Sequence, residues 1–136
     1  PVKLDLIENL PSLDLDPTQI KQAFYNVIRN AYQAVEQNSG EILIQSSVTE
    51  YEVRLAISDN GSGISPEAMG AMFEPFRTTK AEGTGLGMLI VRRILREHGG
   101  ELEVESEEEV GTKVTLYFPR TDKRVRLLED SAPIEV

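Results

Sequence analysis

Between Ser58 and Met88 the chain holds two clusters of glycine, Gly61/Gly63 and Gly83/Gly85/Gly87. The first stands just behind Asp59, at what reads as the exit of a strand ending Leu55-Ala56-Ile57. A carboxylate at a strand exit accepts hydrogen bonds at the mouth of a cleft. An exocyclic amine of the kind adenine carries suits it as a donor, and the same carboxylate selects against guanine. Glycines behind it permit positive φ and close approach of a flat ring. An ordinary Asn-Gly turn explains Asn60-Gly61 equally well.

The second cluster, Gly83-Thr84-Gly85-Leu86-Gly87, precedes an amphipathic helix carrying Leu86, Leu89, Ile90 and Ile94. Free N–H groups at a helix N-terminus bind phosphate, with the macrodipole behind them. The dinucleotide pattern fails because Met88 stands at its third glycine and no strand precedes it; the P-loop fails for want of Gly-Lys-Ser/Thr. By itself G-x-G-x-G specifies little. Between the clusters, Phe73 and Phe76 flank Glu74-Pro75. A segment anchored by its phenylalanines and mobile after them works as a lid. Lys80 sits close enough to the second cluster to reach a phosphate, and Arg77 is a further candidate; a solvated surface cation is the plain alternative for each.

A third set lies upstream. With Ile20 as zero and about 100° per residue, Phe24, Val27, Ile28, Ala31, Ala34 and Val35 fall in an apolar arc. Gln22, Asn26, Asn30 and Gln33 share a polar stripe along its border. Asn26 and Asn30 are i,i+4 neighbours and point to one place. An amide oxygen is a reasonable ligand for a hard cation that also touches phosphate. A solvated helix flank is the competing reading.

The elements that must position these residues follow from local signals. Val2–Leu10 reads as a strand. Asp16 as N-cap, Pro17 at the first position and Gln19 at the capping-box position start a helix that should run to about Gln37. Strands follow over Glu41–Val48 and Glu52–Ser58, joined tightly near Glu50 and Tyr51. A short helix after Pro66, a long helix from about Gly85 to Gly99-Gly100, and strands over Glu101–Ser106 and Thr112–Phe118 complete the order β-α-β-β-(α)-α-β-β. Glu101, Glu103 and Glu105 alternate with Leu102, Val104 and Ser106 as the wet face of a half-buried strand. This pattern predicts an α/β two-layer sandwich (α+β) with a mixed, mostly antiparallel sheet of about five strands against about three helices. Residues 1–119 read as one domain, and 120–136 as a loosely ordered tail or an added edge strand at Val125–Leu128.

The chain has 136 residues and no cysteine, which excludes a disulfide frame or a thiolate metal site. Its net charge of −9 makes it a poor binder of nucleic acid or anionic membrane. No apolar run approaches the roughly 18 residues of a transmembrane helix, and no signal peptide is visible. The chain opens on Pro1 and reads as a piece of a longer protein, cytoplasmic in character.

In order, the chain carries "NVIRNAYQAV", "DNGSGI", "MFEPFRTTK", "GTGLGM" and "GTKVTLYFP". Together these strongly resemble the N, G1, F and G2 boxes and the final glycine-threonine element of the ATP-binding catalytic domain of sensor histidine kinases. That domain has the Bergerat fold of the superfamily shared with DNA gyrase, Hsp90 and MutL. "NAYQAV" and "FEPFRTTK" are most similar to the nitrogen-regulation and sporulation kinases. The resemblance implies ATP with Mg²⁺ as cofactor and ADP as product. It implies that Asn30 binds Mg²⁺ and Asn26 assists at the phosphates. Asp59 would take the adenine amino group, with Gly61 and Gly63 shaping the ring's floor and Thr112 acting through water. Gly83, Thr84, Gly85, Leu86 and Gly87 would meet the phosphates. A lid over about 64–84, with Ile64, Phe73, Arg77, Thr79 and Lys80, would close over the nucleotide. Asn30 and Lys80 are the residues it marks as catalytic. Two departures stand out: Gln33 where many relatives carry Lys or Arg, and Ala34 where many carry an aromatic. Phosphate charge must then be met elsewhere, which favours Lys80 and Arg77.

In that family the γ-phosphoryl group passes to a histidine on a separate helical domain. The one histidine here, His98, reads as a helix-end residue complementing the dipole. The acceptor histidine would lie upstream, so this piece should bind ATP without phosphorylating itself. The implied partners are the dimerisation and phosphoacceptor domain and a response regulator; the piece itself should be monomeric, its parent a homodimer. Gyrase- and Hsp90-type ATPases carry a general-base Glu where Asn26 stands, and an amide cannot take that proton. An anti-sigma-factor serine kinase and a pure nucleotide-binding module are the other readings; "FEPFRTTK" argues against the first, and the full motif set against the second.

Overall fold

The Asp16 carboxylate accepts hydrogen bonds from the N–H of Thr18 (2.9 Å) and Gln19 (3.3 Å), and Pro17 supplies a preset φ, so α1 begins at Pro17 and runs Pro17–Ala34. The computed structural model describes residues 2–7, 13–35, 40–73 and 87–120. Within these, β1 (Val2–Asp5), β2 (Ile42–Val48), β3 (Glu52–Asp59), β4 (Glu101–Glu107) and β5 (Gly111–Pro119) form one sheet in the order β1-β2-β3-β5-β4. β1 runs parallel to β2; every other pairing is antiparallel. α2 (Pro66–Ala71) and α3 (Gly87–Glu97) join β3 to β4. The expected α/β sandwich with a mixed, mostly antiparallel sheet of five strands and three helices is what the chain forms.

The helices bury one stripe each against one sheet face. Ile20, Ala23, Val27 and Ala31 of α1 meet Met88, Val91, Ile94 and Leu95 of α3 over Ile57, Leu116 and Phe118. The Phe24 and Phe118 rings meet edge to face at 6.3 Å. The buried stripe of α1 is turned from the expected arc. Its members average about 15° to the Ala23 side of Ile20, which leaves Ile28 about 95° from the centre. Ile28 is accordingly 36% exposed rather than buried.

α1 also stops sooner than expected. Val35 is extended (φ −92°, ψ 150°), and the Ala34 carbonyl accepts from the Ser62 N–H at 3.1 Å. A tertiary partner for a terminal carbonyl ends the helix without a local cap. The capping box does not form as expected either: the Asp16 N–H donates to His98 Nε2 (3.1 Å). His98 Nδ1 lies 2.7 Å from the Ile94 carbonyl. Since Nε2 accepts, Nδ1 must donate, and the ring is the neutral Nδ1–H tautomer. His98 therefore ties the end of α3 to the start of α1.

β1 is shorter than the strand expected over Val2–Leu10, ending at Asp5; residues 8–12 lie outside the described residues. Thr49 closes the β2–β3 turn, its N–H donating to the Glu52 carbonyl (2.8 Å) and its Oγ1 accepting from the Glu52 N–H (3.1 Å). The sheet's other face carries the exposed row of Glu101, Glu103 and Glu105. There the Leu102 N–H (3.0 Å) and Arg96 (3.1 Å) hold the Glu101 carboxyl below the usual range. Desolvation and the nearby Glu103 push the Tyr117 hydroxyl above its usual value. Among the described residues no helix is long and apolar enough to cross a membrane. The edge strand considered at Val125–Leu128 lies outside the described residues.

Candidate functional site

The helix-facing rows of the sheet are apolar apart from Ser46 on β2 and a polar row at one end. Val104, Val114, Ile57 and Ile44 stand side by side across β4, β5, β3 and β2. One step further, Ser106, Thr112 and Asp59 occupy the same line. Side chains directly opposite on neighbouring strands sit about 4.5–5.5 Å apart at Cβ, so these three polar groups share one small area. A cleft of about 900 Å³ opens over Asp59 and Thr112, with Ser106 beside Thr112 outside its lining.

α1 forms one wall, where the full polar stripe of Gln22, Asn26, Asn30 and Gln33 lines the cleft. Asp59 and Thr112 form the floor with Ile57 and Val114. Gly63 and Ile64 form a second wall, and Gly87 opens α3 at the far side. The structure thus gathers Asn26, Asn30, Asp59, Gly63, Ile64, Gly87 and Thr112 around one space.

Local hydrogen bonds hold the floor. Asp59 Oδ1 accepts from the Gly61 N–H at 2.9 Å, closing an Asx turn that orients the carboxylate. Asn60 Oδ1 accepts from the Glu41 N–H at 2.7 Å and ties the turn to β2. Gly63 takes φ +71°, and the Glu109 N–H donates to the Ser62 carbonyl at 2.7 Å. The turn is thus clamped between the end of α1 and the β4–β5 turn.

Two of the expected site residues, Gly61 and Phe73, are not among those lining this cleft. Gly61 is absent from the cleft lining; a Cβ there would lie 2.5 Å from the Ala34 carbonyl carbon, so its missing side chain serves helix-to-turn packing. Phe73 packs against the core with the Arg92 guanidinium 4.1 Å from its ring centre, outside the cleft. Arg77, Thr79, Lys80, Gly83, Thr84, Gly85 and Leu86 lie outside the described residues.

Residues 15–122 match the sequence profile of the histidine kinase-, DNA gyrase B-, and HSP90-like ATPases. The chain belongs to this ATPase family. Within it, the resemblance is to sensor kinases. The chain is 39% identical over 112 residues to the sensor histidine kinase ZraS of Escherichia coli K12, covering 82% of this chain and 24% of ZraS. It is 35% identical over 118 residues to sporulation kinase E of Bacillus subtilis 168, covering 87% and 16%. The solved catalytic domain of histidine kinase ThkA superposes with a TM-score of 0.78 at 34% identity, covering 90% of this chain and 80% of that one. This member of the ATPase family is an ATP-binding catalytic domain of the sensor histidine kinase type. It spans about a quarter or less of the curated kinases it matches.

Three residues in or beside the cleft have surroundings that local sequence signals did not give. Ser106 was read within a wet-faced strand, although its alternation with Leu102 and Val104 already set it on their inward row. Arg29 reaches the cleft margin beside Asn30 and adds positive charge where Gln33 offers none. Ala34 is the seat for Gly61, which no local pattern announces.

Proposed function

We propose that the chain binds Mg²⁺-ATP in this cleft and transfers the γ-phosphoryl group to a histidine on a separate helical domain. The carrying observation is that one cleft has Asp59 and Thr112 on its floor, Asn26 and Asn30 on one wall, and Gly87 at the start of α3 opposite. Asp59 then accepts from the adenine amino group, and backbone N–H groups from Gly83 to Gly87 receive the phosphates. Arg29, Arg77 and Lys80 offset phosphate charge. Among the described residues no group of three or more His, Asp or Glu side chains is placed to hold a metal alone. The neutral amide oxygens of Asn26 and Asn30 on the cleft wall suit a Mg²⁺ ion that enters with the nucleotide, Asn30 on the ion and Asn26 beside it. Bound there, Mg²⁺ would neutralise charge on the phosphates.

Phosphoryl transfer of this kind needs positioning and charge neutralisation more than a protein base. Asn26 supplies no base, which sets this reading against simple hydrolysis. Residues 1–119 form the working domain, with 120–136 as its tail. The partners are a dimerisation and phosphoacceptor domain and a response regulator, with a homodimeric parent whose catalytic piece lies in the cytoplasm.

Two experiments test this. Calorimetry with Mg²⁺-ATP should show binding to the wild type and at least a tenfold loss in both Asp59→Asn and Asn30→Asp; undiminished binding in both would sink the site. A phosphoacceptor-helix domain mixed with the chain and γ-labelled ATP should take up an acid-labile, base-stable label. Rapid phosphate release without acceptor labelling would favour an ATPase instead.

A further inference from the structure

Ser106 sits at the end of β4, paired with Thr112 on the polar row beside Asp59. Its Oγ lies 2.8 Å from the Ile64 nitrogen, 3.1 Å from the Gly111 carbonyl oxygen and 2.8 Å from Thr112 Oγ1. A serine hydroxyl has one proton and two lone pairs. The Ile64 N–H can only donate, so it fills one lone pair. The Gly111 carbonyl can only accept, so it takes the proton. Thr112 is left to donate into the second lone pair. The Thr112 proton is thereby turned toward Ser106, and the face its Oγ1 presents to the cleft carries lone pairs alone.

We infer that Ser106 is a positioning residue that sets base selectivity by fixing the polarity of the Thr112 hydroxyl. The inference rests on the reading that Asp59 and Thr112 meet the nucleobase. Asp59, when ionised, is likewise acceptor-only. A water between the two gives one proton to each and shows the base only lone pairs. A 6-amino group donates to such a water and to Asp59. A 6-oxo group meets lone pairs from both and is rejected. The same Oγ receives the Ile64 N–H, so the segment leaving Gly63 is fastened by the atom that polarises Thr112.

The test measures affinity for Mg²⁺-ATP and Mg²⁺-ITP, which carries a 6-oxo group, on the intact chain by calorimetry. The wild type should prefer ATP. In Ser106→Ala the Thr112 proton loses its acceptor and turns to the cleft water, which then has a proton free for an O6 atom. The ITP-to-ATP ratio of dissociation constants should fall roughly fivefold to tenfold, the worth of about one hydrogen bond. Ser106→Thr keeps the hydroxyl and should restore the ratio. A purely structural role for Ser106 would weaken both nucleotides alike; an unchanged ratio therefore overturns the inference. Should Ser106→Ala fail to fold, Thr112→Val against Thr112→Ser decides: Val must lower the ratio and Ser must keep it, and any other pattern overturns the inference. Asp59→Asn separates the two levels. If it weakens ATP binding while the serine and threonine variants leave the ratio intact, only the role of Ser106 is lost. If it leaves ATP binding intact, the adenine reading falls and this one with it.

Discussion

Gly61 and Gly70 invite the same substitution with opposite results. An alanine Cβ at Gly61 would lie 2.5 Å from the Ala34 carbonyl carbon and 2.8 Å from its Cβ, with the carbonyl oxygen nearer still. Ordinary contact begins near 3.4 Å, so the turn must retreat by about 1 Å. Ser62 is bonded to Ala34 at 3.1 Å and Asn60 to Glu41 at 2.7 Å, so that retreat strains both bonds. Overpacking costs about 1–3 kcal/mol, and one weakened hydrogen bond adds about 1 kcal/mol. The stiffer unfolded chain of an alanine variant returns about 0.4–1 kcal/mol. Gly61→Ala should therefore lose about 1–3.5 kcal/mol. At Gly70, within α2, an added Cβ meets nothing within 4 Å. Gly70→Ala should gain about 0.5–1 kcal/mol from helix propensity and chain entropy. Urea unfolding of both variants beside the wild type reads the difference as a shift in midpoint at constant slope. A Gly61→Ala protein as stable as wild type would refute the packing account. A destabilised Gly70→Ala would refute the claim that the space around α2 is open.

Removing the N-cap by Asp16→Ala should cost about 1 kcal/mol by urea unfolding. His98→Phe should cost a similar amount by losing both ring hydrogen bonds, and ¹⁵N spectra of the wild type should show the Nδ1–H tautomer. Glu101 has its folded pKa lowered, so its stabilising contribution is present above the unfolded value and lost as pH falls through the folded one. It is half exposed and screened, so Glu101→Gln should cost only a few tenths of a kcal/mol at pH 7. That gap should close as pH falls below the usual glutamate range of about 4.

What was readable in advance was local. Asp16-Pro17 announces the start of α1, and the alternation in β2 to β5 reports half-buried strands, because both signals are carried by neighbours in the chain. The end of α1 was not readable, since its last carbonyl is satisfied by Ser62, far along the chain. Nor was the insertion of β5 between β3 and β4, or the parallel pairing of β1, because these rest on long-range contacts. In the site, spacing marked Asn26, Asn30 and Asp59 as candidates through residue type. Gly61 was flagged for permitting close approach, and the neighbour the fold brings against it is the Ala34 backbone, far back in the chain. The alternation of Ser106 with Leu102 and Val104 gave its face, but not the convergence of Ile64, Gly111 and Thr112 on its one oxygen.

The His98 bridge has a mechanical consequence. It pins the start of α1 to the end of α3 at 3.1 Å, while the cleft opens between the end of α1 and the start of α3. The two helices are tied at that tip and packed against each other beyond it, through Ile20, Ala23, Val27 and Ala31 on α1 and Met88, Val91, Ile94 and Leu95 on α3. With α1 about 27 Å long, a splay of 5° about that pivot moves the working tips apart by about 2 Å. A repacking of that shared core by a few degrees would therefore be read as an ångström-scale change in cleft width where the polar stripe of α1 lies.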